Sequence, residues 1–230
     1  MKSARIPPKT VRRLTLAFHL SAFFLSLTAH AARPFFTDDA RVVDQGGCQI
    51  ESFYKKQRTY DGHEFWFLPA CNPAGLELTV GGNRIEGDDS LVLQAKALLK
   101  PLQTNGSGYA ISGGFIGGDP YVNLIASFSF FSDRSVVHLN TGLIRDEEAQ
   151  ALRNTWGLGL EQLLFAPRLY GILETFAQSG DKPTVHYGLR IWIVPNRFQI
   201  DTTIGAQSGD IGATRWFSTG IRVISPPFLK

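Results

Sequence analysis

Cysteine, methionine, long apolar runs and helical periodicity are all scarce in this sequence, and each deficit removes a class of protein. Only two cysteines and one methionine occur in 230 residues. There is no C-x-x-C, and no histidine stands at ligand spacing from Cys48 or Cys71, so a cysteine-based zinc site is excluded and no metal or other cofactor is expected. The Gly-rich piece GGFIGG precedes no helical pattern, which rules out a phosphate loop. No dense basic patch with interleaved aromatics is present, so no nucleic-acid partner is implied. No stretch reaches the roughly 20 apolar residues of a membrane-spanning helix.

What is present begins with a basic segment (Lys2, Arg5, Lys9, Arg12, Arg13), an apolar run over 14–27, and Ala29-His30-Ala31. That order reads as a secretory signal peptide cleaved after Ala31, and the alternative, an anchoring helix, is disfavoured by the short run and by His19. The expected division is residues 1–31 as signal, 32–47 as an aperiodic N-terminal lead, and 48–230 as the folded body. Removing the five signal cations from 23 basic residues leaves 18 against 20 acidic ones. In an exported chain the even cysteine count predicts a Cys48–Cys71 disulfide.

The body alternates at every second position. Val185, Tyr187, Leu189, Ile191 and Ile193 share one face while His186, Gly188, Arg190 and Trp192 share the other; Phe198, Ile200, Thr202, Ile204 and Ala206 oppose Gln199, Asp201, Thr203 and Gly205. Period two means strands. A turn at Pro195-Asn196 would pair Val194 with Arg197, Ile193 with Phe198, Ile191 with Ile200 and Arg190 with Asp201. Similar segments occur at 49–59, 63–71, 76–85, 90–100, 108–116, 121–131, 135–144, 152–164, 169–178, 184–194, 198–207 and 215–225. The first three are less regular, and the adjacent Lys55 and Lys56 require one lysine to face outward or to reach for a rim.

The connections fall into alternate sets. NPAG, TNGSG, SDR, APR and PN are short and nearly uncharged; YDG, EGDD, GGDP, DEEAQA, SGDKP and SGDIGAT are mostly longer and acidic. Short turns at one end and longer loops at the other match a transmembrane antiparallel up-and-down β-barrel of about 12 strands in the outer membrane of a Gram-negative bacterium. A soluble sandwich also alternates, but a closed barrel this wide has an interior its own side chains do not fill, so its apolar face points outward. Lys96, Glu161, Glu174, His186, Arg190, Asp201 and Arg222 are then the lumen-lining candidates, each also readable as a structural charge. Trp66, Tyr121, Phe131, Phe165, Phe198 and Trp216, near strand ends, are expected to form interfacial girdles. Outer-membrane lipid, the barrel-assembly machinery and small hydrophobic solutes are the expected partners, although the chain departs from the usual terminal aromatic by ending Pro226-Pro227-Phe228-Leu229-Lys230.

His138 and Asn140 share a strand face, but the next segment, RNTWGLGLEQ, has no serine, and no His-Ser pair stands at convincing spacing on a lipid-facing surface, so no enzymatic activity is expected.

Arg33-Pro34, Thr37-Asp38-Asp39-Ala40, Gly46-Gly47 and Glu51 together resemble the opening of a family of outer-membrane barrels labelled for the meta-pathway of phenol degradation, and APRLYGILETF, with Glu174, is similar to a turn-strand element of that group. The resemblance implies an outer-membrane protein that admits hydrophobic or aromatic compounds. Passive passage or binding of small molecules is the expected function. The alternatives are a scaffold or adhesin barrel, favoured if the lead or the lumen's own side chains plug it, and an exported β-sandwich binding module.

Overall fold

A computed structural model describes residues 36–58, 62–165 and 167–229; the expected signal peptide lies outside the described residues. Twelve strands follow one another: β1 (Cys48–Gln57), β2 (His63–Cys71), β3 (Leu76–Ile85), β4 (Asp88–Lys100), β5 (Ser107–Ile116), β6 (Asp119–Phe130), β7 (Ser135–Asp146), β8 (Ala151–Leu163), β9 (Leu169–Gln178), β10 (Thr184–Val194), β11 (Phe198–Gln207) and β12 (Trp216–Ile224). Each pairs antiparallel with its sequence neighbours, and β1 pairs with β12, so the sheet closes into a barrel. Closure satisfies every edge. It also excludes the two-sheet sandwich.

The alternation dictates which way each residue points. Tyr187, Leu189, Ile191 and Ile193 are exposed on the outer wall, whereas His186, Arg190 and Trp192 are buried inside. The two adjacent lysines resolve in the same way. Lys55 points inward and pairs with Glu64 at 2.5 Å, while Lys56 lies on the outer face at the strand end.

The β10–β11 register agrees with expectation at Ile191–Ile200 and Arg190–Asp201. It departs at the turn. Val194, not Ile193, lies opposite Phe198, because a bulge falls between Trp192 and Val194 and the three residues Pro195, Asn196 and Arg197 connect the strands. Asn196 takes a positive φ of 56°, as a three-residue hairpin with a left-handed position requires. A two-residue turn with Pro195 at its first position would have needed a positive φ that proline does not adopt.

Two connections in the acidic set are also tighter than their composition implied. Glu86-Gly87 and Gly117-Gly118 each have two consecutive positive φ angles. That is the backbone of a primed two-residue hairpin turn, whose twist suits the flanking strands, so Asp88, Asp89 and Asp119 belong to strands.

At the end that holds the chain's C-terminus, Cys48 and Cys71 face each other in register and are joined by a disulfide. The β2–β3, β4–β5, β6–β7, β8–β9 and β10–β11 connections lie at this turn end, and the other connections form the loop end.

Candidate functional site

Residues 36–47 do not hang from the barrel; they fold back through its lumen. This segment has no sheet or helix ladder of its own, so its backbone groups must be satisfied by inward-facing side chains of the wall. The Phe36 N–H donates to Glu174 Oε2 at 3.0 Å, and the Thr37 N–H donates to Glu174 Oε1. The Asp38 N–H donates to Asn140 Oδ1 at 2.7 Å, and the Asn140 amide donates back to the Asp38 carbonyl at 2.7 Å. The Ala40 N–H reaches Ser127 Oγ at 2.8 Å, the Val43 N–H reaches Glu77 Oε2 at 2.7 Å, and Asn72 Nδ2 donates to the Val43 carbonyl at 2.8 Å. The segment thus spans from β9 across to β3.

Packing follows the same route. Ala40 is buried with Ala110 and Ile125, and Val43 is buried with Trp192 and Ile224. Phe36 stacks on Phe176 with ring centroids 4.4 Å apart. Thr37 fits because Gly157 has no side chain: a Cβ there would come within 2.4 Å of Thr37 Oγ1. Gly46, at φ +82°, turns the segment into β1, with its N–H bonded to the Asn72 carbonyl.

The seven residues expected in the lumen all lie on the inner face, and the structure groups them into four clusters. Arg190 forks onto Asp201, with Nε to Oδ1 and Nη2 to Oδ2 both at 3.0 Å, and donates to Glu161 at 2.6 Å. Gln199 Nε2 adds two 2.8 Å bonds to Asp201. Lys96 pairs with Asp38 at 2.7 Å and lies 3.5 Å from Asp39. His186 Nε2 stands 2.6 Å from Glu174, and Arg222 Nε donates to Gln49 at 2.9 Å and lies 3.4 Å from Glu51. Buried charges are tolerated only when paired in this manner.

Lys96 and Glu174 therefore do more than line a lumen. They hold the lead. Burial raises the Asp39 carboxyl, but Lys96 above all, with Arg41, His138 and Arg222, outweighs it and leaves that carboxyl below the usual carboxylate range. Asp38, Asp39, Asn140, Ser127, Glu77 and Asn72 were missed as site residues by sequence reasoning. For Asp38 and Asp39 the available signal was Thr37-Asp38-Asp39-Ala40, one of the motifs that carry the family resemblance.

Three aromatics expected in the girdles belong to the interior. Trp66 stacks on Phe53 at 5.6 Å, Trp216 meets His186 edge-on at 5.2 Å, and the Tyr121 hydroxyl donates to Gln94 at 2.6 Å. Their side chains share the parity of Glu64, Ser218 and Asn123, which are inward residues. Phe131 and Phe165 are exposed and Phe198 is half-buried.

Beside the lead a vestibule of about 370 Å³ remains, reaching from the loop end past the lead to Gln49, Glu77 and Arg222 near the turn end. Its floor includes Phe36, Thr37, Asp38, Asp39 and Arg41; Phe53, Trp66, Phe176 and Tyr121 stand on its wall, and Asp181 and Lys182 reach its mouth. Among the described residues, buried Nη1 atoms of Arg41 and Arg222 have no hydrogen-bond partner, and both residues border this space.

His138 is bonded to Ser127 at 2.8 Å through Nδ1 and lies 3.4 Å from Glu161 through Nε2. This His-Ser pair was not found from spacing, since the two residues are brought together by β6–β7 pairing. It faces the lumen. Ser127 is fully buried beneath the Ala40 N–H, which leaves no room for a substrate carbonyl.

A single closed up-and-down sheet, apolar outside and ionic inside, is a porin-type β-barrel. The chain belongs to the family described as Uncharacterised conserved protein UCP029691, whose model matches residues 20–224. Its fold is similar to that of the KdgM porin, at 12% identity and TM-score 0.56, and of the NanC porin in a rhombohedral crystal form, at 8% and 0.57; each match covers 76% of this chain and 98% of the other. KdgM in complex with disordered oligogalacturonate matches at TM-score 0.55, 12% identity and the same coverage. At these identities the likeness concerns the fold. No curated protein matches the chain. The phenol meta-pathway label is carried by none of these findings.

Proposed function

We propose that this protein is a non-enzymatic outer-membrane barrel that receives small molecules from the loop end, holds them on the floor formed by its N-terminal lead, and passes them when the lead is displaced. The vestibule carries this reading. Its wall offers aromatic faces at Phe53, Trp66 and Phe176, and its lining includes Arg41 and Arg222, each with a buried Nη1 that has no hydrogen-bond partner. That combination suits a compact solute with an apolar or aromatic body and one acceptor group, such as a carboxylate or phenolic oxygen. The family resemblance to barrels associated with aromatic compounds points the same way. The near balance of Asp38, Asp39, Glu51 and Glu77 against Lys96, Arg41 and Arg222 argues against a long polyanion.

The outer membrane is favoured by the exposed Leu, Ile, Val and Phe rows of the outer wall and by the porin-type fold. The short turns would then face the periplasm. One observation favours a second reading, a barrel that does not transport: the lead crosses the lumen and is anchored on opposite walls.

Liposome flux of the mature chain, compared with a variant lacking residues 32–44, separates the two. Transport predicts slow entry of small aromatic acids through the full chain and much faster entry through the shortened one. No entry through either, with both inserted, leaves the scaffold reading.

A further inference from the structure

We infer that the outer wall between β10 and β1 binds a phosphate-bearing glycolipid of the leaflet at the loop end; this rests on the outer-membrane reading above. A groove of about 760 Å³ opens there on the outside of the barrel, separate from the lumen. Its bed is one outward row running across four strands: Lys56 lies beside Phe217, Phe217 beside Ile204, and Ile204 beside Tyr187. Ile211, exposed on the β11–β12 loop, adds an apolar side chain to the groove from above. Arg58 and Arg215 stand at the head, tied together by the Arg58 N–H donating to the Arg215 carbonyl at 2.8 Å.

The charge at this head is unlike that of the rest of the loop end. There, the other arginines are matched to carboxylates: Arg84 to Asp89 at 2.6 Å, Arg145 to Glu147 at 2.9 Å and Arg153 to Asp146 at 3.1 Å. Among the described residues, neither Arg58 nor Arg215 has such a partner, and both are exposed. Two adjacent guanidinium groups match a phosphate group by paired N–H donation. Beneath them Phe217, Ile204 and Tyr187 make the bed apolar beyond Lys56, at the level where acyl chains would lie. An anion and its chains are thus accommodated by one continuous surface, which a free phosphate would use only at its top. In the proposed orientation this surface meets the outer leaflet, and a glycolipid with phosphate on its sugar and several chains below fits both halves.

The test uses the mature chain inserted in phosphatidylcholine vesicles containing a minor fraction of bisphosphorylated lipid A, extracted in mild detergent and weighed intact by native mass spectrometry. Wild type should retain lipid A, and Arg58→Ala/Arg215→Ala should retain it less by about tenfold, each arginine near a charged surface contributing a few-fold. Arg84→Ala, whose cation is already paired, should retain it like wild type. Vesicles with dephosphorylated lipid A, or with phosphatidylglycerol in its place, should give little retention. Equal retention by the double variant, by the dephosphorylated lipid or by phosphatidylglycerol overturns the site, as does an equal loss in Arg84→Ala. A chain that fails to insert contradicts the outer-membrane reading instead, so the two failures are distinguishable.

Discussion

At the scale of single residues, the interior is held by charges that do not stand alone. Removing the Arg190 guanidinium leaves Asp201 and Glu161 buried beside each other, with Gln199 and His138 as their remaining side-chain partners among the described residues. Arg190→Met should therefore cost about 3–5 kcal/mol, the usual penalty for orphaning a buried ion. Urea unfolding in detergent measures it, and a loss under about 1 kcal/mol, the scale of an exposed pair, would contradict a buried network. Gly157→Val acts on the lead alone, since its added carbons would occupy the place of Thr37. Trypsin should then cut after Arg41 while the barrel stays closed; an uncut lead would show that Thr37 has somewhere else to go. For Asp39 the folded carboxyl titrates below its ordinary value, so its contribution is complete above that ordinary range and is lost as pH falls through the lower, folded value. Cleavage after Arg41, assayed with an acid-tolerant protease near that bond, should stay slow through the ordinary carboxylate range and rise only at more acid pH.

At the scale of strands and connections, much is legible in the sequence. Eight of the nine side chains in 184–193 sort by parity, Trp192 being the apolar residue on the polar face, and the register counted from the turn places Arg190 across from Asp201. The bulge beside Ile193 was not legible, because it arises from how Pro195 and Asn196 divide the turn. Trp66 was misplaced for a different reason. On β2 both parities carry apolar side chains, Phe65 and Phe67 on one and Trp66 and Leu68 on the other, so hydrophobicity alone assigns neither face. The disulfide was legible because Cys48 and Cys71 bound one hairpin. It fastens the strands from which the lead departs, and Cys48→Ser/Cys71→Ser should lose about 3 kcal/mol by the chain-entropy relation for a loop of this length. Thermal melting under oxidising and reducing conditions measures the loss, and a melting point unaffected by either would contradict it.

At the scale of the whole molecule, sequence periodicity yields a wall and says nothing about what fills it. The lead has no period, and its partners lie far along the chain: Phe36 is 138 residues from Glu174 and Asp38 is 102 from Asn140. Such pairings appear only once twelve strands have closed. Under the proposed function, these pairings are what must give way for a solute to pass the lead. Hydrogen exchange of the reconstituted mature chain tests this most directly. The N–H groups of Thr37, Asp38, Ala40 and Val43 should be protected for times comparable with those of the neighbouring strands. Exchange at the rate of an unstructured peptide, with the strands still protected, would mean that the lead lies outside the lumen.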